Sequence, residues 1–538
     1  MKKQSKRIAM LLLALAMVLG VFSGCGNSPE TSDGSSSSQQ ASDTAESTGP
    51  DFSEHVAVKI WVTGSEPRDL DLVMGEINKL AEEQLNCTIE YNFFNSSDTQ
   101  QKYMMLLSSG EVVDLIYSAG WVNYPANVRK GAFVPLDDLL PVYAPTLYES
   151  IPEEIWDATR VDGKIYMMPT TSNDYQSPAF VYREDLRKKW DCPEIVDLET
   201  MEIYMETIAE NEPDMMPTSQ SVTSVGNLGS YFTAWGALDL KYQWVDWRMP
   251  YGLMIPYHDP TNVTSYWESD DFREDMKMFK RWADKGFWSR SSLSSNEDHI
   301  SLFRNGQTAA IVSGLNGWVG TYAEMVDYFE KNHPDWEAGC LNYEAVKKLA
   351  IPKHPTQDGM SVTITAEQPE RALAVNEKFM TDEQWNRLAN YGIEGTHYTI
   401  DDDGYYELIG SSEDSGFTSG ALRAWSWSVD KFSIPTRITE IEREYKEPSK
   451  DYTYLNLYTA FPEDPTSYQT ERAALFNVVS QYLTPIQAGL VDDVDVAIDE
   501  FLEKAKAAGL EKVQQGFTEQ WVSYLEDNDI KPVKIEVE

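Results

Sequence analysis

The sequence predicts an α/β protein built as two lobes with a helical C-terminal region. Three observations carry this reading. Residues 56–120 alternate strand, helix, strand, helix, strand, the order of an α/β layer. A second buried strand, GQTAAIVSG (Gly306–Gly314), lies far downstream among amphipathic helices. Between them, Asp162–Trp190 holds two strand-like runs with a crossing, so the chain leaves the first layer and later returns to it.

The N-terminus comes first in the order of the chain. Lys2, Lys3, Lys6 and Arg7 precede a nearly unbroken apolar run, Ile8 to Phe22, which small residues Ser23 and Gly24 link to Cys25. This is the layout of a secretory signal peptide, and the run is short for a spanning helix. LGVFSGCGN (Leu19–Asn27) resembles a bacterial lipobox, with Phe22 where Leu is commoner. That resemblance implies acylation (palmitate and related chains) of Cys25, which would hold the chain to a membrane. Residues 26–51 are rich in Ser, Thr, Gly and Gln and lack large apolar residues, so a disordered tether is expected.

The body begins with a strand at Val56, Val58, Ile60 and Val62. A helix follows, with Asp69 as its expected cap and Leu70, Val73, Met74, Ile77, Leu80, Ala81 and Leu85 on one face. Cys87, Ile89, Tyr91 and Phe93 alternate as a second strand. A helix over Gln100–Ser109 stops at Gly110, and EVVDLIYSAG (Glu111–Gly120) supplies a short apolar strand of the kind a covered parallel sheet uses. Helices are expected over Met201–Glu210 and Phe272–Trp282, and strands near 347–366, in KKLAIPK and MSVTITA. The helix of ERALAVNEKFM follows, with a break before TDEQW. Val494, Ala497, Ile498, Phe501 and Ala505 form one C-terminal stripe, and Val513, Phe517, Trp521 and Tyr524 another, separated by Gly509.

Composition narrows the function. The formal charge of −43 argues against nucleic acid or an anionic lipid surface as the main partner. Beyond Cys25 only Cys87, Cys192 and Cys340 remain, without CxxC spacing, so a disulfide framework is not expected, although one bridge is open. The sequence contains no GxxxxGK[ST], HExxH, GxSxG or GxGxxG motif, and no two of its six histidines have metal-ligand spacing. Asp401-Asp402-Asp403-Gly404 is read as a solvated turn, since no EF-hand loop follows it. Neither a catalytic group, a metal nor a cofactor is therefore expected. With 87 acidic residues, carboxylate pairs in sequence carry no weight toward a glycoside hydrolase.

Several stretches together resemble one family. GAFVPLDDLLP (Gly131–Pro141), DGKIYMMPT (Asp162–Thr170), MFKRWADKGFW with LFRNGQTAAIVSG (within Met278–Gly314), NYGIEGTHYTIDDDG (Asn390–Gly404) and FLEKAKAAGLEKVQQGFTEQW (Phe501–Trp521) occur in an order that resembles extracellular solute-binding lipoproteins of carbohydrate ABC importers, the LplA-like branch with a DUF3502-type C-terminal region. The resemblance implies a type II periplasmic-binding fold, a hinge and a ligand cleft. It implies capture of a carbohydrate (an oligosaccharide in the main reading) outside the cell, delivery to permease subunits with their ATPase, and a monomer. The implied organisation is a signal peptide (1–24), a lipidated cysteine and tether (25–51), a first lobe (52–178 plus 347–398) and a second lobe (179–346 plus 399–538). A surface glycoside hydrolase, or a binder of peptides or modified sugars, are the alternatives.

Sixteen Trp and 29 Tyr are a heavy aromatic load. Sugars lay apolar C–H faces on such rings and need polar partners at the rim. Most of the rings must be core. The candidates for the ligand site follow strands or sit in Gly-rich loops: Trp121, Tyr175, Trp235, Trp318, Trp425 and Trp427, with Glu66, Asn173, Asp174 and Arg423 as hydroxyl partners.

Overall fold

The computed structural model describes residues 50–94, 99–170, 175, 177, 179–218, 242–244, 252–256, 261–291, 299–312, 318–348, 350, 352–411, 414–422, 426–427, 429–453, 461 and 463–527. The expected signal peptide, lipidated Cys25 and the tether up to residue 49 lie outside them. The described residues form one compact unit.

The first sheet has the order β2-β1-β3-β12-β4, with β1 Val56–Thr63, β2 Cys87–Phe94, β3 Leu115–Ser118, β4 Met168–Pro169 and β12 Gly359–Val362. Pairing of β1 with β2 is parallel from Val56↔Cys87 to Thr63↔Phe94. The Leu70–Leu85 helix makes that crossover and buries Leu70, Val73, Met74, Ile77, Ala81 and Leu85. It stops because Asn86 turns left-handed at φ 47° and returns its N–H to the Ala81 and Glu82 carbonyls. The expected cap is corrected: Asp69 makes no side-chain capping bond. Its carboxylate instead packs where a Cβ on Gly416 would stand, 3.5 Å from Nε2 of buried His397.

β12 returns from 241 residues downstream of β3's Tyr117 neighbourhood and runs antiparallel to β3 and β4. Two buried ionic groups dock this returning segment. Asp114 accepts from the backbone of Lys59 in β1, and of Glu367 and Gln368 just ahead of the Pro369–Thr381 helix. Arg371 donates to the carbonyls of Leu85, Asn86 and Glu54 and lies over the Phe52 ring. It thereby satisfies carbonyls at the C-terminus of the Leu70–Leu85 helix.

The second sheet has the order β11-β5-β10-β6, with β5 Ala179–Arg183, β6 Met216–Thr218, β10 Thr308–Val312 and β11 Ala338–Asn342, while β7 Tyr242–Trp244, β8 Leu253–Pro256 and β9 Thr264–Ser265 pair in a separate small sheet. Every residue of β5 is buried, and it runs antiparallel to β10 and β11 on either side. Around this sheet, the Asp270–Asp284 helix contributes Phe279 and Trp282. The C-terminal helices Gln469–Val478, Val494–Ala507 and Leu510–Asp527 add Leu475, Ile498, Phe501, Val513, Phe517 and Trp521 to the same core. Both stripes read from the sequence are thus packing faces. Gly489, at φ +70°, lies against Ala283 and the Phe279 carbonyl with no room for a Cβ.

Two boundaries differ from the expectation. Phe417, Leu422, Trp427 and Val429 belong to the core of the first sheet, so the chain does not leave that lobe at 399. It stays because Trp427 stacks on Phe379 at 4.5 Å and donates its indole N–H to Tyr91 in β2. Second, the described residues of KKLAIPK lie in no sheet strand, and Lys347 ends the Tyr343–Lys347 helix. Ala350 and Pro352 make only isolated bridges, to Thr453 and Tyr175, because this stretch crosses between the lobes. The acidic Asp401–Gly404 stretch is a hairpin turn in which Asp401 accepts from the Asp403 and Tyr405 backbone. Cys87, Cys192 and Cys340 are all free thiols.

Candidate functional site

In the first sheet β1, β2 and β3 are parallel, β12 is antiparallel to β3, and β4 is antiparallel to β12. The carboxyl ends of β1, β2, β3 and β4 therefore share one edge, and the start of β12 lies there too. In the second sheet the first residues of β5 pair with the last residues of β10 and β11, through Phe180↔Val312 and Ala179↔Asn342. The segments that cross between the sheets leave from these two edges. Open α/β sheets hold ligands in the crevice beyond the carboxyl ends of their strands.

Three stretches of chain meet at the crossing. Tyr175 bridges Pro352, and Ala350 bridges Thr453 and donates its N–H to the Tyr452 carbonyl at 2.9 Å. The Tyr175 and Thr453 hydroxyls lie 3.2 Å apart. The third stretch arrives by way of the Arg437–Lys446 helix, held on the Trp318–Asn332 helix of the second lobe. Tyr322 and Tyr445 pack there at 4.7 Å and Arg437 lies 3.4 Å from Glu330. Beside β5, Ser177 takes a left-handed φ of 42° and is buried. Its hydroxyl donates to buried Glu344 at 3.3 Å and its carbonyl accepts from the Val319 backbone. His354, on the second crossing stretch, is buried, and burial pushes its imidazole down to about 4.

The sequence-derived candidates divide as follows. Trp121 sits in the turn Gly120–Val122 that follows β3, half-buried at the crossing edge. Its indole N–H donates to the Tyr117 hydroxyl at 3.0 Å. Tyr175 is in the crossing itself. Trp318 opens the helix after β10, next to Val319, whose N–H reaches Ser177; its side chain lies outside the described residues. Trp121 thus lies at the strand ends of the first sheet, the backbone of Trp318 follows a strand of the second, and Tyr175 lies in the stretch that crosses between them. Glu66 is exposed just after β1, at the same edge of the first sheet. Trp427 is corrected: it is fully buried in the first-lobe core. Trp235, Trp425, Asn173, Asp174 and Arg423 lie outside the described residues.

Sequence reasoning missed Tyr117, Asp358, Ser177 and Glu344. Tyr117 donates to Asp358 Oδ1, and the Asp358 carbonyl accepts the N–H of Thr170 at 3.1 Å. Tyr117 lies in an apolar run that signals only burial, and Asp358 is far away in the chain; no local pattern joins them. Among the described residues no group of three or more His, Cys, Asp or Glu could hold a metal ion, and no helix is long and apolar enough to cross a membrane.

Comparison with known proteins assigns the family. Residues 77–391 match the model of the bacterial extracellular solute-binding proteins, and residues 457–526 match a domain of unknown function, DUF3502. The chain belongs to the bacterial extracellular solute-binding protein family. It is 22% identical over 500 residues to a carbohydrate ABC transporter substrate-binding protein of Streptococcus pneumoniae serotype 4, covering 89% of this chain and 92% of the relative. Among solved structures it is similar to the N-glycan transport solute-binding protein of Streptococcus pneumoniae, with a TM-score of 0.68, 19% identity, and coverage of 88% of this chain and 99% of that one. It is also similar to an extracellular solute-binding protein of Bifidobacterium longum subsp. infantis, with a TM-score of 0.64, 15% identity, and coverage of 89% and 100%. The fold is the two-lobed α/β fold of periplasmic solute-binding proteins, as the sequence predicts, with a helical C-terminal region.

Proposed function

We propose that this protein is the membrane-anchored substrate-binding component of an ABC importer, capturing an oligosaccharide outside the cell and handing it on uncleaved. The observation that carries the reading is similarity over nearly the whole chain to a carbohydrate ABC transporter substrate-binding protein and to the N-glycan transport solute-binding protein. The latter has been crystallised with Man1GlcNAc and Man5GlcNAc. The aromatic groups at the crossing support it: Trp121 offers a partly exposed ring, and Tyr175 a ring and a hydroxyl. A sugar needs both kinds of group.

In this reading the lobes close over the ligand by rotation about the crossing stretches. The closed form engages permease subunits and their ATPase. The protein acts as a monomer and performs no catalysis. Acylated Cys25 holds it on the outer face of the cytoplasmic membrane, and residues 26–51 form the leash.

Calorimetric titration of the purified protein with Man1GlcNAc, Man5GlcNAc and kestose, followed by product analysis, tests the ligand class. Binding without cleavage is expected. A ligand at a hundredfold excess over its Kd should raise stability by about 2.7 kcal/mol. Cleavage of a bound glycan, or a response to peptides and to none of the glycans, overturns the reading. Fatty-acid labelling that persists in Cys25→Ala overturns the anchor.

A further inference from the structure

We propose that Tyr117 is the positioning residue that orients the Trp121 indole, and that Asp358 ties this orientation to the crossing between the lobes. The inference rests on the reading above that Trp121 meets the ligand.

The chemistry of the three groups fixes the direction of both bonds. An indole N–H can only donate and a carboxylate can only accept. The Tyr117 hydroxyl must therefore accept from Trp121 Nε1, at 3.0 Å, and donate to Asp358 Oδ1. Donation to a carboxylate is charge-assisted and polarises the phenol oxygen, which makes it a better acceptor for the indole. The tyrosine is completely buried, so its hydroxyl has little freedom to serve another geometry. Its ring also packs against the indole, with centroids 5.6 Å apart and planes 48° apart. The tryptophan is held both at its nitrogen and along its ring.

Asp358 places this bracket at a mechanical joint. It is the last residue before β12, whose Gly359 pairs with both Ser118 and Pro169. Its carbonyl accepts the N–H of Thr170, the first residue of the other crossing stretch. One residue thus joins two crossings through its backbone and the Tyr117–Trp121 pair through its carboxylate. The plane of the indole is defined relative to the crossing, not to β3 alone. A ring offered to a sugar face gains from being held in advance, because less ordering entropy is lost on binding.

The test uses protein labelled with 15N-tryptophan, with the Trp121 indole N–H signal assigned by its loss in Trp121→Phe. In ligand-free Tyr117→Phe this signal is expected to shift and broaden. Asp358→Ala should act the same way, and Asp358→Asn, which keeps an acceptor, should retain most of the wild-type position. Affinity for Man5GlcNAc is expected to fall roughly tenfold in Tyr117→Phe. In a Trp121→Ala background the same change should add no further loss. An unmoved Trp121 signal in Tyr117→Phe overturns the proposal, as does an undiminished loss in the Trp121→Ala background. A signal that moves in Tyr117→Phe while none of Man1GlcNAc, Man5GlcNAc and kestose perturbs the wild type, and peptides do, upholds the bracket and overturns the carbohydrate reading.

Discussion

The two lobes present similar sheet edges to the crossing, yet they are completed in different ways. The first is closed by segments that return from beyond residue 358: Arg371 docks them onto the carbonyls of Leu85 and Asn86, and their Glu367 and Gln368 N–H groups donate to Asp114 of the opening unit. Its core is centred on the sheet. The second places an antiparallel strand, β5, in the middle of its sheet and draws much of its core from helices beyond residue 460. The first lobe therefore adds, to its apolar core, polar contacts to specific carbonyls and amides. The second is held largely by apolar area contributed late in the chain. Burial of apolar surface is non-directional and works wherever the stripe lands. Charge-assisted bonds to named carbonyls work in one register only.

The sharpest way to break this comparison is to end the chain after Thr453. That removes Leu475, Phe501, Phe517 and Trp521 from the second core and nothing from the first. Limited proteolysis with mass spectrometry should find rapid cleavage within 179–346 and protection of 56–169; equal protection of both would refute the division. Next in size is a contrast between two tryptophans. Trp427→Ala empties a fully buried site and should cost roughly 3–5 kcal/mol in chemical denaturation. Trp121→Ala, at the half-buried edge, should cost about 1 kcal/mol or less in stability, while lowering glycan affinity more than tenfold, as a central aromatic contact does. Equal stability losses would mean that Trp121 is a core residue.

A third measurement concerns the crossing. His354 is held neutral by burial, down to about 4 from an ordinary value of 6.5. The unfolded chain takes up this proton near pH 6.5, and the folded chain only near pH 4. Its contribution is therefore complete above pH 6.5 and is lost as the pH falls toward about 4, on the order of 1–3 kcal/mol. His354→Gln should flatten that part of the pH–stability curve; an unchanged slope would place the acid sensitivity elsewhere. The smallest effect compares two helix starts. Asp197 forms a capping box with Thr200 in the second lobe, so Asp197→Ala should cost about 1 kcal/mol. Asp69→Asn keeps the shape packed against Gly416 and removes no capping bond; a loss smaller than that of Asp197→Ala in the same thermal melts is expected.

Much of the architecture was legible from spacing. The alternation in β1 and β2, the stripe of the Leu70–Leu85 helix and both C-terminal stripes bury most of the residues the pattern selects, although at the end of β2 Phe94 is buried and Phe93 only half-buried. The Ala350–Pro352 stretch misled because an apolar crossing and a short strand have the same composition. The cap at Asp69 misled because a carboxylate before a helix has competing partners, here around His397 and Gly416, that no local window contains. The site was the least legible part. Trp121 could be singled out because it follows a clear strand, but Trp427, equally aromatic and next to a polar loop, is core.

By itself the sequence determined which faces are apolar, where the strands end, and that the body has two α/β lobes and a helical tail. Those properties follow from periodicities of two and 3.6 residues, which are local. Only the tertiary structure decided that Phe417, Leu422, Trp427 and Val429 complete the first core and that the late helices complete the second. It alone brought Tyr117, Trp121 and Asp358 together. Such contacts span hundreds of residues and depend on which complementary groups meet once the apolar faces are buried, and periodicity holds no record of that pairing.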